Sequence, residues 1–583
     1  MRRKLLATFC LILIAGAVFS GEVLVLDFTS ELVQKKLGKN QSVDVQDGAP
    51  VLTMTQDKPG LSLLEIPLDI ATVANKDIVL AADIKQNNIS AKPKSWNGVK
   101  LMLVITGADG KKLYPQAPNA DGSADWKRHF VSARIPADAT ALSLLLGLEN
   151  VTGTVNFRAV KVTEAVPPEE YSHTTVTGWT DRENAVYQPG ETMQFNFQIL
   201  ESENSIPGNV NVIFACDDGR TWEKSYAVET DRPLTVSASL DKPGFVMVKA
   251  QLLTPSGTVA KRLAWNGSLR QVQYGLAGGV DMEQLRQGEA EPADFDEFWR
   301  KAKAELADVP VEVLERKLCK QTEQCDIFDM KIACAGNRPV SGYLSIPMDA
   351  KAKSLPIRMR YDGYGVHNIA PYSDPRAIVF FINAHGIENG RKKAYYAGLA
   401  KGELSNYGFR NEQNEKPETC YFRNMILRGL RAFEYAKTLP EWNGKDVVIA
   451  GGSQGAFQAV AVAALAPAAT KCDISIPWFC DLGGVNCGRV RGWRPDWQAG
   501  LGYYDTVNFA KRVTCPVKIK AGLSDWVCPP SGVWILYNNL SAPKEMVMYQ
   551  GWDHAVYFGY DAERTAKMTY LLPATKSGRD FAR

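Results

Sequence analysis

The chain has 583 residues, 45% hydrophobic and 22% charged, with a formal net charge of +3, an ordinary composition for folded protein but too long for one core, so several domains of roughly 150 residues are expected. The charge falls to about zero once an N-terminal leader carrying Arg2, Arg3 and Lys4 is removed, which makes nucleic acid and anionic membrane poor partners. Beyond that leader no stretch approaches the roughly 20 apolar residues of a membrane helix.

Those basic residues precede an apolar run from Leu5 to Phe19 that ends near Ser20, the pattern of a secretory signal peptide over residues 1–20. A secreted or periplasmic location is therefore expected. Cys10 lies inside the run without small residues before it, so no lipid or membrane anchor is read. The remaining cysteines are even in number, which permits disulfides in an exported protein. Spacing points to Cys319 with Cys325 and Cys480 with Cys487, and buried free thiols are an equal alternative.

From residue 21 to about 165 the chain shows short apolar runs such as Ile78 to Ile84 and Val99 to Ile105, separated by Gly, Asn, Asp and Pro. This is the texture of an all-β sandwich. The stretch from Trp126 to Phe157 resembles the closing strands of jelly-roll carbohydrate-binding modules. Trp96 and Trp126 are candidates for stacking on sugars, although a tryptophan in a sandwich is more often part of the core. Pro167-Pro168 with Glu169-Glu170 reads as a linker. Residues 166–272 then give a second β pattern with Pro-Gly turns at 189–190 and 243–244, taken as an immunoglobulin-like sandwich and a spacer.

The pattern changes at 273. Pro292 to Trp299 opens an amphipathic helix with acidic residues in its first turn. Apolar runs at Leu355–Tyr361, Ile378–Asn383, Asp446–Ala450, Ile474–Phe479 and Val517–Ala521 then alternate with helical stretches. Such alternation predicts a mainly parallel sheet covered on both faces over 273–583.

Asp446-Val-Val-Ile-Ala450 runs into Gly451-Gly-Ser-Gln-Gly455 and then an Ala-rich stretch. A G-x-S-x-G sequence is weak evidence alone, but here it joins a strand to a helix, as a nucleophile elbow does. Ser453 is thus the candidate nucleophile. A serine hydroxyl needs an adjacent base. Of the five histidines, His129 and His173 fall in the β modules and His367 and His385 precede Ser453. His554 follows a final strand near Glu545–Tyr549 and alone satisfies the order serine, acid, histidine. Asp525, just after Val517–Ala521, is the expected acid, ahead of Asp481, Asp496, Asp505 and Asp553. The residue after the nucleophile, Gln454, is expected to offer one oxyanion donor and an earlier loop another.

Asp294-Phe-Asp-Glu-Phe-Trp299, Tyr361-Asp-Gly-Tyr364, the 451–455 motif and Gly522-Leu-Ser-Asp-Trp-Val-Cys-Pro-Pro530 together resemble the acetyl xylan esterase and cephalosporin-C deacetylase family. The resemblance covers the chain from about 273. It implies an α/β-hydrolase with Ser453, Asp525 and His554 as triad, backbone N–H groups of Gln454 and Tyr364 as oxyanion hole, and acetylated carbohydrate as substrate. It implies neither metal nor cofactor. Two departures stand out: His385-Gly386-Ile387 replaces an Arg-Gly-Gln pattern, and Ala555 replaces a glutamate. They read as one coupled change near the catalytic histidine. Oligomeric state is left open.

Two rival readings are a prolyl-oligopeptidase-type peptidase, whose propeller repeats are not visible before 273, and a carbohydrate-binding protein with an inert hydrolase domain. Because every candidate site residue follows 272, residues 1–272 are expected to be dispensable for small esters.

Overall fold

A computed structural model of the protein describes residues 19–46, 48–94, 96–117, 119, 121–165, 174–200, 209–254, 257–263, 269–554 and 570–571. The signal peptide except for its last residues, the Pro167–Glu170 linker, His173 and Ala555 lie outside them. Among the described residues no helix is long and apolar enough to cross a membrane.

The chain divides into two compact units. One comprises the chain up to Thr174 with Ser202–Pro207 and Leu253–Val272, and the other Thr175–Glu201, Gly208–Leu252 and everything from Gln273. In the first unit a six-stranded sheet and a four-stranded sheet share one apolar core. Strand Asp77–Ile89 shows why: Ile78, Leu80, Ala82 and Ile84 are all buried in that core, as side chains two apart on a strand share a face. The two tryptophans do not follow the core expectation. Trp96 is 53% exposed with Lys94 over its ring at 5.1 Å. Trp126 is half-buried beneath the Arg158 guanidinium at 4.2 Å, because its strand Gly122–Arg134 is the end strand of the six-stranded sheet.

In the second unit a three-stranded and a five-stranded sheet come first. The expected boundary at 272/273 falls at the start of a strand of this sandwich. Strand Gln273–Val280 pairs antiparallel with Gly244–Leu253 along its whole length, from Gln251↔Gln273 to Gly244↔Val280, and so belongs to the five-stranded sheet. The sandwich is not a detached spacer either. Ala185, Phe245, Met247 and Ala277 lie in the same buried cluster as Met282, Trp299 and the interior of the α/β region. Their apolar side chains had no polar alternation to mark them as facing a second layer.

From Val313 onward a ten-stranded sheet forms the frame. Val313–Gln321, Cys325–Ile332 and Val340–Pro347 make an antiparallel edge. Ile378–Ile382, Leu355–Tyr361, Trp442–Gly452, Lys471–Ser475, Val517–Gly522 and Lys544–Tyr549 then run parallel in that spatial order. The strand expected at Ile474–Phe479 instead spans Lys471–Ser475, since Ile476 and Phe479 both take positive φ and cannot continue a strand. The helix expected from Pro292 runs Phe295–Ala307, with Asp296 and Glu297 in its first turn.

The proposed disulfides do not form, and the described cysteines are free thiols. Cys319 and Cys487 are exposed while Cys325 and Cys480 are buried.

Candidate active site

Strand Trp442–Gly452 delivers Ser453 to the N-terminus of helix Gln454–Leu465. Ser453 takes φ 54° and ψ −122°, a conformation that a non-glycine residue holds only when its surroundings fix it. Two glycines allow this. A Cβ on Gly451 would lie 2.2 Å from the Gly455 carbonyl oxygen, and one on Gly455 would lie 2.2 Å from the carbonyl oxygen of Tyr361. The elbow is then pinned by its backbone: the Ser453 N–H donates to the Ser475 carbonyl at 3.0 Å, and its carbonyl accepts from Ala456, Phe457 and Trp478.

Strands Val517–Gly522 and Lys544–Tyr549, paired in parallel, supply Asp525 and His554 from loops at the same end of the sheet. The His554 Nδ1 lies 2.9 Å from Asp525 Oδ2. The other carboxylate oxygen accepts from the N–H groups of Val527 and Cys528, both at 2.8 Å. The loops hold each other as well, with the Leu523 N–H on the Tyr549 carbonyl and the Ser524 N–H on the Trp552 carbonyl. Asp525 is fully buried, and the His554 side chain is 22% exposed, so its ring reaches both the acid and solvent. Burial disfavours the charged imidazole, but the charge and hydrogen bond of Asp525 outweigh it and hold its pKa above the ordinary histidine value.

Three of the competing acids are engaged elsewhere. Asp481 pairs with Arg489, Asp496 with Arg491 at 2.7 Å, and Asp505 accepts from the N–H groups of Asp481 and Leu482. Burial, with the nearby Asp481 charge, pushes the Asp505 carboxyl up to about 7.

Tyr364 follows strand Leu355–Tyr361, whose end lies in register with Gly451. Among the described residues no hydrogen bond uses the amide N–H of Gln454 or of Tyr364. For Gln454 this follows from its place in the first turn of its helix. The loop around Tyr364 is fastened to the elbow: the Gln454 side chain donates to the Gly363 carbonyl at 3.2 Å and accepts from the Tyr407 hydroxyl at 3.0 Å. That hydroxyl in turn accepts from the Gly365 N–H at 2.9 Å.

His385 completes this support. Its Nε2 lies 3.0 Å from the Gly365 carbonyl and its Nδ1 2.7 Å from the Tyr421 hydroxyl. Burial drives its pKa down to about 3, which keeps the ring neutral. The partners of His385 are therefore residues of the Tyr364 loop and of helix Tyr421–Ala436. Tyr407 and Tyr421 carry no motif, so sequence reasoning passed over them.

Asp525, Cys528 and His554 bring one potential metal-ligand atom each within 4.8 Å of one another. Their donors already have other partners. The carboxylate binds two amides and the imidazole, and burial raises the Cys528 thiol pKa and keeps it protonated.

The second sandwich reaches this site. Buried Asp217 accepts from Phe245 N–H at 2.8 Å, from Val490 N–H at 3.0 Å and from the Ser531 hydroxyl at 3.3 Å. Gln550, four residues before His554, closes two hydrogen bonds on the main chain of Ala277, at 3.1 and 2.5 Å. Lys249 lies 4.5 Å from the Trp526 ring. Both loops that carry the acid and the histidine thus rest on the sandwich.

Residues 280–486 and 496–571 match the family model for acetyl xylan esterase. Through these residues the chain belongs to the acetyl xylan esterase family. It is a serine carboxylic ester hydrolase, and the family supports carbohydrate esterase activity. An acetyl esterase, Axe7A of Xylanibacter ruminicola, is 28% identical over 348 residues, covering 56% of this chain and 77% of that protein. Among solved structures, an acetyl xylan esterase from Paenibacillus sp. R4 is 21% identical, covers 47% of this chain and 93% of its own, and gives a TM-score of 0.39. Acetyl xylan esterase 1 from Thermoanaerobacterium sp. JW/SL YS485 is 22% identical, with 48% and 96% covered and a TM-score of 0.40.

Proposed function

We propose that this carbohydrate esterase is an exported enzyme that removes acetyl groups from oligo- or polysaccharides through an acyl-enzyme on Ser453. The observation that carries the mechanism is the 2.9 Å bond between His554 and Asp525, on loops neighbouring a serine held at positive φ. Asp525 fixes the tautomer in which Nε2 is the proton acceptor. His554 takes the Ser453 proton as the hydroxyl attacks the acetyl carbonyl. The N–H groups of Gln454 and Tyr364 then stabilise the developing oxyanion, since donors fixed before reaction cost no reorganisation. His554 returns the proton to the departing sugar oxygen, and water, activated by the same imidazole, releases acetate.

The first β unit, with its jelly-roll-like pattern, is assigned the role of holding the enzyme near its polymer, which raises effective concentration without altering the chemistry. The test is acetate release from acetylated xylan and from other acetylated glycans by the full chain and by Ser453→Ala. The wild type releases acetate, and the variant loses several orders of magnitude. Wild-type release from simple esters but from no glycan would overturn the substrate class. More than a few per cent of activity in Ser453→Ala would overturn the nucleophile.

A further inference from the structure

The family match skips residues 487–495, a segment that contains Trp493. This stretch is closely built into the site. Its Val490 N–H donates to Asp217 of the second sandwich. The Trp493 N–H donates to the Val527 carbonyl at 2.9 Å, two residues from Asp525. The Trp493 carbonyl accepts from the indole N–H of Trp478 at 2.6 Å, and Trp478 itself donates its backbone N–H to Ser453. The segment is therefore anchored on the sandwich, on the loop of the acid and on the residue that braces the nucleophile.

These anchors present one large ring. The Trp493 indole meets Tyr364 edge to face at 4.5 Å, packs near Phe409 at 4.7 Å and stacks with Trp478 at 5.5 Å. Despite three aromatic neighbours it remains 40% exposed. It also lines a pocket with Trp478, Val527 and Cys528. An indole held rigidly on several sides with an exposed portion beside Tyr364 has lost its rotamer entropy before any ligand arrives. Flat apolar surface of that kind suits the C–H face of a sugar ring, and its position beside Tyr364 sets the ring next to the acetyl carbonyl.

We propose that Trp493 is the stacking wall for the pyranose ring that bears the acetyl group, a subsite supplied by the 487–495 segment. It makes this chain favour acetylated sugars over acetates that lack a ring. The inference rests on the carbohydrate-esterase reading above.

The test uses full-length wild type, Trp493→Ala and Trp493→Phe with two substrates, acetylated xylobiose and ring-free ethyl acetate, following acetate release. Trp493→Ala is expected to lower the ratio of kcat/KM for the sugar ester to that for ethyl acetate by about tenfold, the scale of one aromatic stacking contact. The loss should lie mainly in KM, and Trp493→Phe should recover most of it. Non-acetylated xylobiose should also inhibit ethyl acetate hydrolysis competitively in wild type and lose that inhibition in Trp493→Ala. An unchanged ratio, or an equal fall in kcat for both substrates, overturns the proposal, because the ring would then act only by supporting Tyr364. If wild type hydrolyses ethyl acetate but not acetylated xylobiose, the carbohydrate reading falls first and the wall with it.

Discussion

Cutting the chain at its two apparent domain borders should give opposite results. A fragment 175–583 retains the whole second compact unit, whereas 273–583 keeps strand Gln273–Val280 but loses the Gly244–Leu253 strand paired with it from end to end. The shorter fragment also loses Phe245 and Met247, both fully buried in the shared core, worth about 1.5–3 kcal/mol each. Removing Asp217 leaves the Val490 N–H without its acceptor, at about 1–3 kcal/mol for a buried amide. The sum, about 4–9 kcal/mol, is comparable with the whole stability of a typical domain. The newly bare strand edge adds a route to aggregation. We expect 175–583 to hydrolyse ethyl acetate at about the full-length rate, and 273–583 to be insoluble or to have lost most of its activity. The assay is urea unfolding followed by tryptophan fluorescence, with acetate release on the same samples. A soluble 273–583 fragment with an unchanged midpoint and full activity would refute the shared-core argument.

Other changes should act on single contacts. Because Asp525 holds His554 above its ordinary pKa and only the neutral ring accepts the serine proton, kcat/KM should fall as pH drops through a midpoint above about 6.5. A midpoint at or below that value would count against the pairing. Asp525→Asn should cut kcat by roughly 10⁴ through the wrong imidazole tautomer, measured on ethyl acetate, with near-normal rates pointing to another acid. His385→Arg should destabilise the fold by about 3–5 kcal/mol, since the new guanidinium would be buried close to Arg428 and Arg338, and urea midpoints report it directly. Ala555→Glu should rescue part of that loss if the two positions are coupled, whereas additivity within about 0.3–0.5 kcal/mol would separate them.

Much of the site could be read from the chain alone because its parts are local. Gly451 to Gly455 carries its own strand, turn and helix, and the backbone contacts that exclude side chains at Gly451 and Gly455 explain those glycines. Asp525 and His554 were found by their places after successive strands, since parallel strands deliver their loops to one end of a sheet. The antiparallel edge at Val313–Pro347 gave no such signal, because it carries no residue of the site.

What the chain alone could not decide was which distant surfaces share a core. Phe245, Ala277 and Met282 look like ordinary strand and loop residues, and only packing merges them with the α/β interior. The same holds for Tyr407, Tyr421 and Trp493. Each acts through a contact to residues far away in sequence, such as Gly365 to Tyr407 or Trp493 to Tyr364. Periodicity and motifs encode a residue's relation to its own strand or helix, so the chain specified the elbow and the strand-end positions of Asp525 and His554. The sandwich that braces those loops and the packing of Trp493 against Tyr364 and Trp478 depend on burial between layers, which only the tertiary structure determines.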